Sequence, residues 1–481
     1  MVYYAGTHMS TTRKIAHNTA IQIGGKAIST LLGLAAIGMM TRYLGTEQFG
    51  WYVAAISFLQ FIGIIIDFGL IPVTAQMMSE PAFDKKILFQ NLLGFRFISA
   101  IIFLGIAPLL ILLFPYPIEV KMAVAIMTIS FLGIAMNQVF TGFYQYTLKM
   151  HIQALGEVLG RAVLVGGLWL LIAQRASFLS VMMLVTISTL VYTAYMWFAS
   201  ARFEKSQFRF DWPVYKAIFH KSWPIAISII FNVIYLKGDI ILLSLFRDLS
   251  EVGIYGAAYR VIDILTQTAM LLMGLMLPLL TYAWSRSNTA LFKKRYQQSF
   301  DAMMMFGIPV TVGTAVLAKP IMSFVAGPDF ASAAPALAIL ALAVGAVYFG
   351  GVYGHLAVAI NKQKSTMWIY ISGALLTLVG YLIFIPRFGM LGAAWMSVFS
   401  EVYAGVLLTL VVRRHLQSHL SLLTFSKICI SAMVMGLLLT ILPPWPVLLT
   451  VCIGAGVYAA LLLITGAISK QTLRDVLARS E

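Results

Sequence analysis

Residues 88–114, LFQNLLGFRFISAIIFLGIAPLLILLF, carry one ionisable side chain, Arg96, in 27 positions. A helix rises about 1.5 Å per residue, so roughly 20 apolar residues cross the ~30 Å hydrocarbon core of a bilayer. In lipid every backbone N–H and C=O must be bonded internally, which leaves helices or closed barrels. Barrel strands are only about ten residues long. This run is therefore read as a transmembrane helix. Outward from it lie thirteen more apolar runs, at 19–40, 49–71, 120–143, 153–173, 178–198, 223–246, 253–280, 302–325, 334–359, 367–385, 389–412, 425–442 and 447–468. Charged, Pro-bearing or Gly-bearing turns separate them.

The whole composition agrees. Of 481 residues, 60% are apolar and 10% charged, against about 25% charged in soluble domains. Mean hydropathy is +0.91. The chain is read as an all-α polytopic membrane protein of about 14 transmembrane helices.

A net charge of +16 would suit nucleic acid, but its placement argues otherwise. Alternate loops and adjoining span ends on the side of both termini hold 22 Lys and Arg, densest at 199–222 and 281–301. The opposite side holds six: Arg42, Lys121, Arg175, Arg247, Lys319 and Arg387. Lys and Arg collect in cytoplasmic loops because they resist translocation. Both termini are thus expected in the cytoplasm, and no nucleic-acid partner is needed. The N-terminal run lacks a small-residue cleavage site and is read as an uncleaved first span. Cys429 and Cys452 lie in apolar runs and offer neither a disulfide framework nor metal-ligand spacing.

An internal repeat divides the chain. Phe49-Gly50-Trp51-Tyr52-Val53-Ala54-Ala55 opens the second span and Val252-Gly253-Ile254-Tyr255-Gly256-Ala257-Ala258 the eighth, each after a short turn beginning with Arg42 or Arg247. An offset of six helices preserves orientation, as in parallel repeats. Two pseudo-symmetric six-helix lobes are expected: an N-lobe at 1–200, a cytoplasmic linker at 201–222 and a C-lobe at 223–412. An appended helix pair with a cytoplasmic tail fills 413–481.

Several segments resemble the polysaccharide transporter (O-antigen flippase-like) family of the multidrug/oligosaccharidyl-lipid/polysaccharide flippase superfamily. They are Asn18 to Gly50, with Gly24-Gly25-Lys26 and Thr41-Arg42-Tyr43-Leu44-Gly45; Asp67-Phe68-Gly69-Leu70; and Gly238-Asp239 to Ala257-Ala258-Tyr259-Arg260, with Pro278 beyond. Asn361-Lys362-Gln363-Lys364 and Ile385-Pro386-Arg387-Phe388-Gly389 to Gly392-Ala393-Ala394 complete the set. The resemblance covers most of 18–412. It implies transfer of undecaprenyl-diphosphate-linked oligosaccharide from the cytoplasmic to the periplasmic leaflet of the bacterial inner membrane, through a central cavity that opens alternately to each side. Its implied partners are that substrate, membrane lipids and other polysaccharide-assembly proteins. No cofactor and no enzymatic step are expected, and no GxxxxGK[ST] P-loop is present.

Ten ionisable residues within the spans stand out: Lys26, Arg96, Arg161, Lys237 and Arg260, against Asp67, Glu157, Asp239, Asp263 and Glu401. Each costs on the order of 2.5–3.5 kcal/mol at a lipid-facing helix centre, so each should face a cavity or a partner. The cations are the candidates for holding a diphosphate, since guanidinium and ammonium groups both bind phosphate well. The carboxylates are the candidates for proton or sodium coupling, with Asp67, Asp239 and Glu401 the freer three. Glu157 and Arg161 are spaced i, i+4 and Arg260 and Asp263 i, i+3, so internal ion pairs explain them equally. His355, deep in a span, is read as structural. No metal site is expected. The alternatives are a lipid II or multidrug exporter of the same superfamily, or a membrane polymerase or acyltransferase. The last is disfavoured because no outer loop carries catalytic His or paired carboxylates.

Overall fold

The computed structural model describes the backbone of residues 11–67, 70–80, 84–201, 207–416 and 420–467, with side chains at 11–20, 23, 64–67, 72, 75, 224–237 and 363 also outside the described residues. The helices are α1 (Thr11–Asp67), α2 (Leu70–Ser79), α3 (Lys85–Leu110), α4 (Ile118–Tyr146), α5 (Met150–Ala173), α6 (Phe178–Ser200) and α7 (Trp212–Phe246). They continue as α8 (Leu249–Ser285), α9 (Thr289–Val316), α10 (Ala318–Val325), α11 (Ala334–Ala359), α12 (Gln363–His415), α13 (Leu423–Ile441) and α14 (Val447–Ile464). No strand occurs among the described residues. The chain is an all-α polytopic membrane protein.

Eleven stretches of described residues are long and apolar enough to cross a membrane. Two of them each cover a pair of sequence-read spans. α1 breaks at Gly45 (φ 68°, ψ −175°) and α12 at Gly389 (φ 57°, ψ −136°). These backbone conformations are essentially closed to residues with a Cβ. Gly389 also sits against Glu251, whose Oε1 accepts the Met390 N–H at 2.7 Å while Oε2 pairs with Arg247 Nε at 2.8 Å. That carboxylate caps the second half of α12. Gly389→Ala is expected to destabilise the protein by about 1–3 kcal/mol, the usual cost of such strain. A melting temperature equal to wild type in detergent would contradict this.

One span differs from the sequence reading. Residues 302–325 were expected to be continuous, but α9 ends at Val316 and α10 begins after Leu317. Pro320 explains the break: it has no N–H to donate, and its ring would clash with the carbonyl four residues back, that of Val316.

The chain forms two compact units, Met1–Val233 and Ile234–Glu481. In the first, α1 packs on α5, α4 and α3, while α4 packs on α6, α3 and α2. Its apolar centre includes Leu70, Val73, Phe89, Leu92, Phe140 and Phe143. The turn at the α1 break is tied to the α5–α6 turn by Tyr43 Oη donating to the Ala176 carbonyl at 2.6 Å.

In the second unit, α11 is central and packs on α12, α8 and α9. Gly350 of α11 and Gly405 of α12 meet backbone to backbone: a Cβ on Gly350 would lie 3.2 Å from the Gly405 Cα. Small residues allow such approach where lipid supplies no hydrophobic drive between helices. The α13–α14 pair is fastened to α9. Gly436 faces Val312, and Tyr458 Oη donates to the Met305 carbonyl at 2.9 Å.

Candidate functional site

Lys26, Ser29 and Gly33 follow one another at i, i+3 and i+7, which places them on one face of α1. The opposing face of α5 carries Glu157 and Arg161. Lys26 Nζ lies 3.0 Å from Glu157 Oε1, and Ser29 Oγ donates to the same oxygen at 2.8 Å. The Arg161 guanidinium passes beside Gly33, where a Cβ would stand 3.8 Å from Cζ. Gly25 makes the approach possible, because a Cβ there would come 2.7 Å from the Ala154 Cβ. The Gly24-Gly25-Lys26 motif therefore combines a helix contact with the charge it positions.

The site is half open. Ser29 is buried, Lys26 remains 45% exposed and Glu157 22%. Arg161 is exposed and, among the described residues, has no ion-pair partner. Two cations and one carboxylate thus lie along the α1–α5 contact, on helices apolar enough to span a membrane. Arg161 stands about 16 Å along α5 from its start. Such a group is tolerated there when it borders water or an anion.

Arg96 does not join this group. It is 1% exposed, its Nε donates to the Ala135 carbonyl at 3.1 Å and its Nη2 donates to Gln138 Oε1. It pins α3 to α4 and, in this structure, is enclosed within the helix packing.

In the second unit, Asp239 is fully buried on α7. Its Oδ2 accepts Tyr255 Oη–H at 2.7 Å and its Oδ1 accepts the Ile240 N–H at 2.8 Å. Tyr259 and Tyr381 lie within the electrostatic field of both Asp239 and Glu401. Tyr381 Oη and Ser397 Oγ are 3.4 Å apart. A buried carboxylate is thus held by a phenol and a backbone N–H, hydrogen bonds that let it stay in a dry interior. Arg260 and Asp263 lie 3.8 Å apart with side chains 24% and 30% exposed. His355 Nδ1 is 2.8 Å from the Gly351 carbonyl of its own helix. The side chains of Asp67 and Lys237 lie outside the described residues. No cluster of three or more His, Cys, Asp or Glu able to hold a metal occurs among the described residues.

Sequence reading passed over Ser29, Gly33 and Tyr255 as site residues. The first two were detectable as the stripe continuing from Lys26 along one helix face. Tyr255 stood in the repeated motif, but nothing local tied it to Asp239.

The family described as "Polysaccharide biosynthesis protein" matches residues 39–335. An uncharacterized membrane protein of Methanocaldococcus jannaschii is 25% identical over 166 residues, which span 34% of this chain and 32% of that protein. Among solved structures, the lipid II flippase MurJ in an inward closed conformation superposes with a TM-score of 0.79 at 16% identity, covering 92% of this chain and 98% of its own. An inward-facing multidrug resistance MATE family transporter of the MOP superfamily gives a TM-score of 0.66 at 14% identity, covering 80% and 94%.

Proposed function

The chain belongs to the polysaccharide biosynthesis protein family, and from that premise we propose that it is a flippase for undecaprenyl-diphosphate-linked oligosaccharide. It carries this cargo from the cytoplasmic to the periplasmic leaflet of the bacterial inner membrane by alternating access, for cell-surface polysaccharide assembly, and catalyses no bond-breaking step. The observation that carries the reading is the cationic character of the α1–α5 site, where Lys26 pairs with Glu157 and the Arg161 guanidinium stands beside Gly33 with no ion-pair partner among the described residues. A diphosphate supplies the missing negative charge, and Arg161 offers it a fork of donors. The polyprenyl chain stays in lipid while its charged, hydroxylated head group uses the polar route, because hydrocarbon alone would exclude that head. The MurJ likeness keeps lipid II as the second cargo of this reading, since it shares the polyprenyl diphosphate chemistry. A multidrug exporter of organic cations fits a site with surplus positive charge poorly.

Lys26, Arg161 and Arg260 are the proposed substrate cations, with Lys237 among them by position. Arg96 supports the site through the α3–α4 pin. Asp239 and Glu401 are the proposed ion-coupling groups, for protons or sodium, with Asp67, Glu157 and Asp263 as further carboxylates of the same class.

Mass spectrometry of undecaprenyl-linked intermediates in a deletion strain tests the function. Accumulation of one complete repeat unit at the cytoplasmic face is expected. Unfinished sugars, or finished units collecting outside, would instead place the protein at an enzymatic step.

A further inference from the structure

The start of α7 has two faces, one packed and one exposed. On the inner face, Tyr215 and Ile218 join the core of the first unit, and Ile218 and Ser222 are fully buried. The preceding strap is fastened to α3: the Asp211 N–H donates to Asn91 Oδ1 at 2.8 Å, Asn91 Nδ2 returns a bond to Asp211 Oδ2 at 3.0 Å, and Phe208 stacks on Phe97 at 4.6 Å. Lys221 pairs with Glu80 beyond α2. Burial first, and the Asp211 carboxylate second, push the Tyr215 phenol up to about 12, as expected of a ring held against this packed side.

The outer face carries Trp212, Lys216, Phe219 and Trp223, spaced by four, three and four residues, so they form one stripe. All four are exposed, Trp212 by 76%. Helix length says where this stripe stands. α7 has 35 residues and runs about 52 Å, while the bilayer core needs only ~30 Å. Residues 223–246 already span that thickness, which leaves the first three turns beyond the hydrocarbon. Exposed tryptophans alternating with an exposed ammonium at that level have the chemistry of the headgroup layer: rings at the glycerol level, Lys216 at a phosphate.

We propose that the outer face of residues 212–223 is a binding site for anionic phospholipid headgroups of the surrounding membrane, which holds the strap and the first unit at the interface. This inference does not depend on the cargo.

The test uses the full chain in nanodiscs of phosphatidylcholine, alone or mixed with phosphatidylglycerol. Hydrogen exchange is read on peptides from 207–223. Wild type is expected to exchange about fivefold more slowly with phosphatidylglycerol, the factor for one basic residue at an anionic surface. Lys216→Glu is expected to lose that difference at an unchanged melting temperature. Trp212→Ser is expected to lose protection in both lipids. Equal exchange of wild type in the two mixtures would overturn the proposal. So would protection that rises with protein concentration in detergent, which would mark a second copy of the chain as the occupant.

Discussion

Arg161→Ala is expected to lower the initial rate of lipid-linked oligosaccharide translocation in proteoliposomes by about 10- to 100-fold. Hydrogen bonds to a charged group contribute on the order of 1.5–3 kcal/mol, and the proposed diphosphate takes several of them from this one side chain. Arg161 is exposed and has no ion-pair partner among the described residues, so its removal leaves no buried charge stranded. The melting temperature should therefore stay near wild type, which separates loss of binding from loss of fold. Arg161→Lys should rescue only part of the rate, because a point charge cannot reproduce the planar fork. Glu157→Gln separates the roles further. Its amide oxygen can still accept from Ser29, while Lys26 loses its counter-charge, so a prenyl diphosphate should bind more tightly. Wild-type translocation by Arg161→Ala together with Lys26→Ala would remove the α1–α5 site from the mechanism.

The second large effect is expected at Asp239. Asp239→Ala removes both acceptors from a fully buried position and leaves Tyr255 Oη without its carboxylate partner. An unsatisfied buried donor costs about 1–3 kcal/mol, before the cavity left by the missing carboxylate is counted. A fall in melting temperature is expected, together with loss of transport. Asp239→Asn is the more informative variant. Its Oδ1 can still accept the Ile240 N–H while its Nδ2 donates to Tyr255 Oη, so the fold should survive, but the position no longer carries a charge to exchange for a proton or sodium ion. Transport by Asp239→Asn in vesicles should lose its response to an imposed pH or sodium gradient. A response as large as wild type's would exclude Asp239 from coupling.

The two predictions rest on features of different legibility. Helix breaks were readable where they follow local chemistry. Gly389 was placed at the start of a span, and it is where α12 breaks. Pro320 lies inside the run read as one span at 302–325, and the helix ends before it. The Lys26–Glu157 pair was not readable, since its members are 131 residues apart. Glu157 looked like the i, i+4 partner of Arg161; the approach of α1 at Gly25 gives it Lys26 instead. Arg96 looked like a cavity cation because no acid stood near it in sequence. Its partners are a carbonyl and an amide of α4, groups that charge counting does not register.

By itself the sequence determined the membrane-spanning helical class, the positions of most spans, their bias of basic residues and the inventory of charges that lipid would reject. These depend on transfer free energies summed along short stretches of chain, which are local quantities. Only the tertiary structure decided which charges meet, which are sealed into packing and which stay open. That depends on the faces two distant helices present to each other, set by a missing methyl group at Gly25 as much as by the charges themselves.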